Sequence, residues 1–436
     1  MKKFNLIEEE WISAVKDKEI YNISLMECLK NPCKYDFIYD NNALNEFSMY
    51  LLIWNILHRS LGQINIKEWS NIWNSKSWGN APVEYLEKWE DRFFLFHPTH
   101  PFYQYSNTIC EKSEYKNISK IVPQLPSGNN NLFFMASEKK ELSLSYKDSI
   151  KYLLSYQYFC PQEASYVLGP YSKAIHSFIK GSNLFETMML NYITNTDITG
   201  IPCWEIDDYC LYSPKESGIL HNLTLLSRRI KLEDSTNCVD GFYMNFLFKE
   251  KETKDEKKII KNNIREFIKA IKDNNPFIST YKYTQKEKGE EEEKTGVYEF
   301  QNEKASWRNL HSILNNENNM IIKDYTIFKM NNIESYGYIN FINYGAEVKT
   351  AGTTGLIKLL KKNEYLIPFN ILVKNSDIEE DETKEDKIES LVEKLEKEYK
   401  EIINCVKKAI RNTNGKNKKE KDIIDPSWEK KTSTMY

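Results

Sequence analysis

The sequence predicts an α+β fold: a large mixed α/β domain over residues 1–376, then a helical C-terminal region over 377–436 with a charged tail. Two patterns carry this expectation. Apolar residues recur at helical spacing in several separated stretches, and between them lie alternating, β-branched runs with the period of strands. The 436 residues exceed the roughly 250 to 300 at which a single core stops growing, so a second, smaller unit is expected. A hydrophobic share of 41% with 28 tyrosines supplies ample surface to bury.

At the N-terminus, NLIEEEWI (5–12), an Asp-Lys turn and EIYNISL read as a two-stranded hairpin with Trp11 facing the core. Leu44, Phe47, Leu51, Trp54 and His58 share one stripe of a helix that Gly62 ends. A second helix is expected from Val83 to Phe94. A third runs from Tyr146 to Phe159, opened by a capping box of Ser145 and Asp148. A fourth spans Asn183 to Ile193, with Asn183 as cap. The stretch 223–248 reads as strands turning at Asp240-Gly241. Lys- and Glu-rich runs at 249–263 and 285–296 read as solvated linkers or a long hairpin tip. Order returns at 295–314, followed by strand-like runs through Tyr338 and from Leu366 to Val373. A charged stretch, Asp377 to Asp386, leads into a helix from about Lys384 to Asn412. There Ile388, Leu391, Leu395, Tyr399, Ile402 and Val406 step by three and four.

Composition narrows the function classes. Lys plus Arg number 60 against 63 Asp plus Glu, a net charge of -3, so any contact with nucleic acid must be local. The eight cysteines lie far apart without a CxxC pair, and MKKFNLIEEEW lacks the apolar core of a signal peptide. No apolar run approaches the roughly 20 residues of a membrane helix. A soluble, cytoplasmic protein with no membrane partner is expected. No Walker loop, dinucleotide fingerprint, GxSxG elbow or HExxH helix occurs, and glycine is scarce at 15 residues, so a non-enzymatic role without cofactor is favoured.

Several constellations invite chemistry. His97 and His100 form an HxxH pair, the spacing of shared metal ligands, yet Pro98 and Pro101 favour a turn. Cys203 and Cys210 flank Asp207 and Asp208, a zinc-like set on paper, although cysteine is more often simply buried. With the acidic residues, these histidines would serve a metal-dependent nuclease or phosphohydrolase, the alternative from the enzyme class. LPSGNNNLFF (125–134) joins a glycine and three amides to two aromatic rings, the makings of a loop that hydrogen-bonds and stacks, or of an Asn-rich surface turn. SRRIKL (227–232) groups Arg228, Arg229 and Lys231 as possible phosphate contacts, or as a salt-bridged strand. In KASWRNL (304–310), Trp307 reads as core.

Taken in order, FNLIEEEWI, HPFYQ (100–104), LPSGNNNLFF, SFIKGSNLFETMMLNYI (177–193), PCWE (202–205), LTLLSRRIKL (223–232) and ASWR (305–308) resemble the CasA family, the large subunit of type I-E CRISPR Cascade. The resemblance implies a mixed α/β domain and a C-terminal four-helix bundle, here reduced, truncated or completed by another chain. It implies recognition of a protospacer-adjacent motif in double-stranded DNA, assistance in duplex opening and R-loop formation, and recruitment of the nuclease-helicase Cas3. Implied partners are the 5′ handle of the guide RNA, the target duplex, the other Cascade subunits and Cas3. Guide pairing would read the sequence while protein reads the adjacent motif. A related type I large subunit is the neighbouring alternative.

Carried onto this chain, the guide-handle and motif loop falls on Ser127 through Phe134, with Gly128 in the loop, Asn129, Asn130 and Asn131 as candidate hydrogen-bonding residues and Phe134 as the aromatic contact. Where the family has a glycine loop, this chain has Gln162, Glu163 and Ala164. The lysine that probes the minor groove falls at Lys269 or Lys272. The duplex-opening wedge falls between Asn340 and Tyr344, Asn340 and Asn343 being its polar members.

Overall fold

The computed structural model describes residues 2–105, 114–123, 142–159, 173–207, 218–245, 274–287, 290–300, 310–314, 319–330, 333, 338–351 and 354–368. The expected C-terminal helix lies outside the described residues.

The chain opens with β1 (Lys3–Asn5), β2 (Ile12–Lys16) and β3 (Glu19–Ile23). β2 and β3 pair as a hairpin whose central residues, Asp17 and Lys18, have φ of 51° and 68°, the double left-handed turn that matches strand twist. The expected hairpin is therefore real but starts at Ile12. Residues 6–9 form a turn that buries Leu6 and Ile7, while Trp11 is fully buried as expected and donates its indole N–H to the Leu6 carbonyl at 2.8 Å.

Helix α1 (Leu25–Lys30) is capped by Ser24, and β4 (Phe37–Ile38) adds to the other edge of β2. Next comes α2 (Ala43–Leu61), with the Asn42 side chain accepting from the Leu44 N–H at 2.9 Å and Gly62 at φ 70° ending it. Every residue from Ala43 to His58 is buried, so this is an internal helix, not a surface one.

Two short helices follow. α3 (Ile66–Ser75) starts at a complete Asn65/Glu68 capping box and buries Trp69 and Trp73. α4 (Ala81–Lys88) stops well before Phe94. The expected helix over 83–94 is corrected here: residues 94–96 form β5, which pairs with β1 and closes the N-terminal segment onto the body. A non-local partner overrides local helical spacing at that point.

β6 (Glu114–Asn117) and β7 (Leu144–Ser145) precede α5 (Tyr146–Phe159), which has its predicted bounds but only half of the expected box: Ser145 Oγ accepts the Asp148 N–H at 3.2 Å, while the Asp148 carboxylate takes the Ser145 hydroxyl and not its backbone N–H. β8 (His176–Lys180) leads to α6 (Leu184–Leu190), where Asn183 caps the Glu186 N–H at 2.9 Å. The helix ends earlier than expected because Asn191 turns its amide onto the Ile179 and Thr187 carbonyls, at 2.6 and 2.7 Å.

β9 (Arg229–Leu232), β10 (Cys238–Val239) and β11 (Gly241–Asn245) confirm strands after residue 223. The turn is not at Asp240-Gly241. It lies at Ser235–Cys238, where Asn237 takes φ 66° and the two end residues exchange backbone hydrogen bonds. Gly241 sits in β11, where a Cβ would come within 2.3 Å of the Tyr115 ring. β12 (Thr280–Glu287) and β13 (Glu290–Val297) form the long hairpin that the charged run suggested.

The last described strands are β14 (Tyr338–Ala351) and β15 (Thr354–Pro368), paired along their whole length. β8 adds to β14 only from Asn340 to Tyr344, so the ladder is three-stranded there and two-stranded beyond. A register shift between Glu347 and Val348 falls within this two-stranded part. Its terminal part, 348–351 with 354–357, is about 14 Å long at about 3.4 Å per residue. A second sheet has the order β6-β11-β9.

Phe47 of α2 is the hub of the core. Its ring lies 4.9 Å from His176, 5.4 Å from Phe277, 5.5 Å from Tyr344 and 5.8 Å from Tyr158, which joins α2 to α5, β8 and β14. Among the described residues, no helix is long and apolar enough to cross a membrane.

Candidate nucleic-acid interface

Strand β9 alternates: Ile230 and Leu232 point inward, and Arg229 and Lys231 fall on the opposite face. Lys231 lies in register with Tyr243 of β11, and Tyr243 with Tyr115 of β6, so two tyrosines and a lysine form one row across the sheet. The tyrosine rings meet edge to face at 5.4 Å, and Tyr115 is about half exposed. The outer edge of β9 is covered by the HPFYQ block. The Tyr105 N–H donates to the Ile230 carbonyl at 3.0 Å, and Gln104 Oε1 accepts from the Leu232 N–H at 2.7 Å. The Arg229 guanidinium rests over the Tyr105 ring at 5.6 Å.

Of the three basic residues expected to meet phosphate, Arg229 and Lys231 are thus presented together and Arg228 is not. Arg228 is 8% exposed, and its backbone is clamped by the Gln157 side chain, which donates to its carbonyl at 2.9 Å and accepts from its N–H at 2.8 Å. Its role as a phosphate contact is corrected to a structural one: Arg228 forms the bend just before β9, and the Gln157 clamp holds that bend inside the body.

The same HPFYQ segment walls a cavity of about 180 Å³ whose lining includes His100, Phe102, Tyr103, Tyr105, Trp204 and Arg92. Two sequence blocks about a hundred residues apart, HPFYQ and PCWE, converge here, joined by Leu226 from the segment ahead of β9. Trp204 is fixed from behind by a chain of side chains. Its indole N–H donates to Tyr85 Oη at 2.8 Å, Tyr85 donates to Glu205 at 2.6 Å, and Arg59 at the end of α2 grips Glu205 through two bonds of 2.9 and 2.8 Å. Burial, reinforced by the Glu205 charge, pushes the Tyr85 phenol far up, so it stays protonated. At the mouth, Arg92 hydrogen-bonds the exposed carboxylate of Asp207, which holds that carboxyl below its usual range.

The histidine pair does not converge on a shared point. His97 Nδ1 accepts the His100 and Thr99 backbone N–H groups at 2.9 and 3.2 Å, and its Nε2 lies 3.4 Å from Asp91. The two rings stack at 5.8 Å. His97 thus organises the turn that Pro98 and Pro101 suggested, its ring nitrogens turned to that turn and to Asp91. Cys203 is buried, its thiol pushed up by desolvation, and Cys210 and Asp208 lie outside the described residues. Among the described residues, no group of three or more His, Cys, Asp or Glu is placed to hold a metal ion.

Asn340 and Asn343 sit in the middle strand of the β8–β14–β15 ladder. Asn343 is fully buried and its Oδ1 accepts from Ser177 at 3.0 Å, so its assignment to a DNA wedge is corrected to an internal bond. Gly128, Asn129, Asn130, Asn131, Phe134, Gln162, Glu163, Ala164, Lys269, Lys272 and Trp307 lie outside the described residues. Arg92, Tyr85 and Arg59 were missed by sequence reasoning, since each is an isolated residue whose partner is remote.

The family model for CRISPR-associated protein Cse1 matches residues 5–436. The chain belongs to the Cse1 family. A CasA/Cse1 protein of Thermus thermophilus is 30% identical to this Cse1 chain over 221 residues, 47% of the chain and 43% of that relative. The matched region thus spans less than half of the curated relative's length. The solved structure of Thermus thermophilus CasA superposes with a TM-score of 0.65 at 20% identity, covering 86% of this chain and 77% of that one. A chain of a CRISPR RNA-guided surveillance complex superposes at 0.66 and 16% identity, covering 84% and 76%. At these identities the superpositions establish a Cse1 fold.

Proposed function

We propose that this Cse1 family member is the large, non-catalytic subunit of a type I-E Cascade. In this reading it sits on the 5′ handle of the guide RNA and reads a protospacer-adjacent motif in double-stranded DNA. It then assists duplex opening and R-loop formation, carries the other subunits along the displaced strand, and offers a docking surface to Cas3. The observation that carries the reading is the match of the Cse1 model to almost the entire chain.

Two features of the structure support it. Arg229 and Lys231 share one face of β9, a local pair of cations consistent with nucleic-acid binding by a chain of net charge -3 within a larger assembly. The β14–β15 hairpin also runs on past the three-stranded ladder as two paired strands, an extension suited to replacing base stacking at the first opened step. The wedge role therefore moves from Asn340–Tyr344 to the far end of this arm. The segment 127–134, Gln162 to Ala164, and Lys269 or Lys272 keep their proposed roles at the handle and the motif.

The test is binding of guide-loaded complex, with and without this chain, to matched duplexes carrying a randomised adjacent motif at fixed salt, because affinity is strongly salt-dependent. Motif-selective binding that appears only with the chain, and that Phe134→Ala weakens, supports the reading. Unchanged binding, or chelator-sensitive cleavage of DNA by the chain alone, overturns it.

A further inference from the structure

We propose that the open edge of β3 is a docking site for an extended segment of another protein. That segment adds to the β3–β2–β4 sheet as a further strand and carries lysine or arginine at the end that lies beside Glu8, Glu9 and Glu10. Three observations carry this reading.

The first is an unpaired backbone. In β2 the Ser13 and Val15 carbonyls turn toward β4 and its flanks, where they accept from the Tyr39 and Asp36 N–H groups at 2.9 and 2.8 Å. Ala14 and Lys16 therefore turn the other way, to Tyr21 and Glu19 of β3. By the same alternation Ile20 and Asn22 direct their N–H and C=O groups outward, and among the described residues no strand pairs with that side of β3. These groups stand in the pattern that an added strand matches.

The second is the lack of protection. Native sheet edges are blunted by proline, bulges or charges, because a bare edge recruits other chains. β3 reads EIYNI, pairs with β2 in unbroken register and has its charged residue, Glu19, at the turn. Beyond it, Ile20 is 58% exposed and Tyr21 44%, on opposite faces of the strand. A strand laid along this edge would cover both side chains while it satisfies the backbone.

The third identifies the partner by charge. The Ile7 carbonyl accepts the Met26 N–H at 3.0 Å and the Trp11 N–H donates to the Ile23 carbonyl at 3.2 Å, so Glu8, Glu9 and Glu10 lie beside the far end of β3. All three are exposed and form no ion pair with a described residue. At the turn end, Lys16 and Lys18 balance Asp17 and Glu19. A second copy of this chain paired antiparallel through β3 would set that balanced turn against the three carboxylates and leave them uncompensated. A segment with cations at that end neutralises them.

The test uses the full chain and a fluorescent probe peptide, two lysines followed by alternating valine and threonine, whose lysines meet the glutamates when it pairs antiparallel. Saturable binding is expected. Amide hydrogen exchange at Ile20 and Asn22, fast in the free chain, should slow on binding, while that of Tyr21 is already held by β2. Methylating the peptide nitrogens that face β3 keeps side chains and charge but removes the donors, and should weaken binding at least about tenfold. Asn22→Pro removes one outward N–H, gives up only an exposed side-chain bond with Ser13, and should have a similar effect. Glu8→Gln, Glu9→Gln and Glu10→Gln together should weaken binding about fivefold at low salt and hardly at high salt. Matching thermal melts establish that the variants fold, and if Asn22→Pro melts lower, the methylated peptide decides, since it leaves the protein unchanged. No saturable binding, equal binding of the methylated peptide, or a dimer of the chain that Asn22→Pro dissolves would each overturn the proposal.

Discussion

Tyr344 Oη donates to Glu46 Oε1 at 2.7 Å and so ties the middle of β14 to the first turn of α2 across 298 residues of chain. Lys362 of β15 reaches the same oxygen at 2.8 Å. The base of the long hairpin is thereby held by a carboxylate that is 1% exposed. Burial raises the Glu46 carboxyl above its ordinary value despite Lys362 and Tyr344, whereas Lys362, which keeps more solvent, is raised by Glu46 against its own desolvation.

Removing one partner of this trio should cost more than removing both charges. Lys362→Met leaves Glu46 buried without its cation and should lower stability by about 3 kcal/mol, while Tyr344→Phe should cost about 1 kcal/mol. Glu46→Gln combined with Lys362→Met should recover most of the first loss. Urea unfolding of the three variants checks the order, and a double variant less stable than Lys362→Met alone would refute the argument.

The hairpin separates anchoring from action. Asn343→Ala deletes the acceptor of Ser177 in the buried ladder and should reduce stability by about 1 to 2 kcal/mol while leaving duplex opening by the assembled complex intact. Removing residues 350–355 from the end of the arm should do the reverse: near-native melting, with loss of permanganate-reactive thymines at the first target step. Opening that survives this deletion would remove the wedge from the arm.

What the sequence disclosed follows from how local each signal is. Gly62, Ser145 over the Asp148 N–H, and Asn183 mark helix ends through contacts within four residues and are found as read, whereas the Asn42 cap of α2 was overlooked. Asn65 with Glu68 carried the same signal for α3 and was overlooked. The boundary near Phe94 and the turn near residue 237 were misplaced because β1 and Tyr115, remote in sequence, decide them. Likewise SRRIKL grouped Arg228, Arg229 and Lys231 by proximity alone, whereas strand alternation puts only Arg229 and Lys231 on one face, and the cavity draws on Arg92, Tyr103 and Trp204, whose proximity exists only after folding.

Acid should destabilise the fold before its carboxylates titrate. His176 is fully buried and its imidazole is pushed down to about 3, and burial also drives His58 well below the ordinary 6.5. Both are depressed bases, so the unfolded chain binds protons that the folded chain refuses. Their contribution is complete above pH 6.5 and is lost progressively as pH falls below it, for His176 down to about 3. Unfolding at pH 5 should take up about two protons from these groups, seen as a fall in melting temperature between pH 7 and 5. A flat profile over that interval would contradict the burial of these rings.

Glu186 gives the complementary case at the N-terminus of α6. Desolvation would raise its carboxyl, but hydrogen bonds from Lys76 at 3.0 Å and the Ser182 N–H at 3.0 Å, with the lysine charge, bring it below 4.5. A depressed carboxylate contributes stability that is present above its unfolded value and lost as pH falls through the folded one. Glu186→Gln should therefore be destabilising at pH 7 by about 1 to 2 kcal/mol and nearly neutral at pH 3. The same corner explains a glycine. A Cβ on Gly181 would stand 2.4 Å from the Glu186 Cβ and 2.8 Å from helix backbone, so Gly181→Ala must push α6 away from β8 and should destabilise at both pH values. Melting curves of the two variants at pH 7 and 3 separate the electrostatic effect from the steric one: only the first should fade in acid.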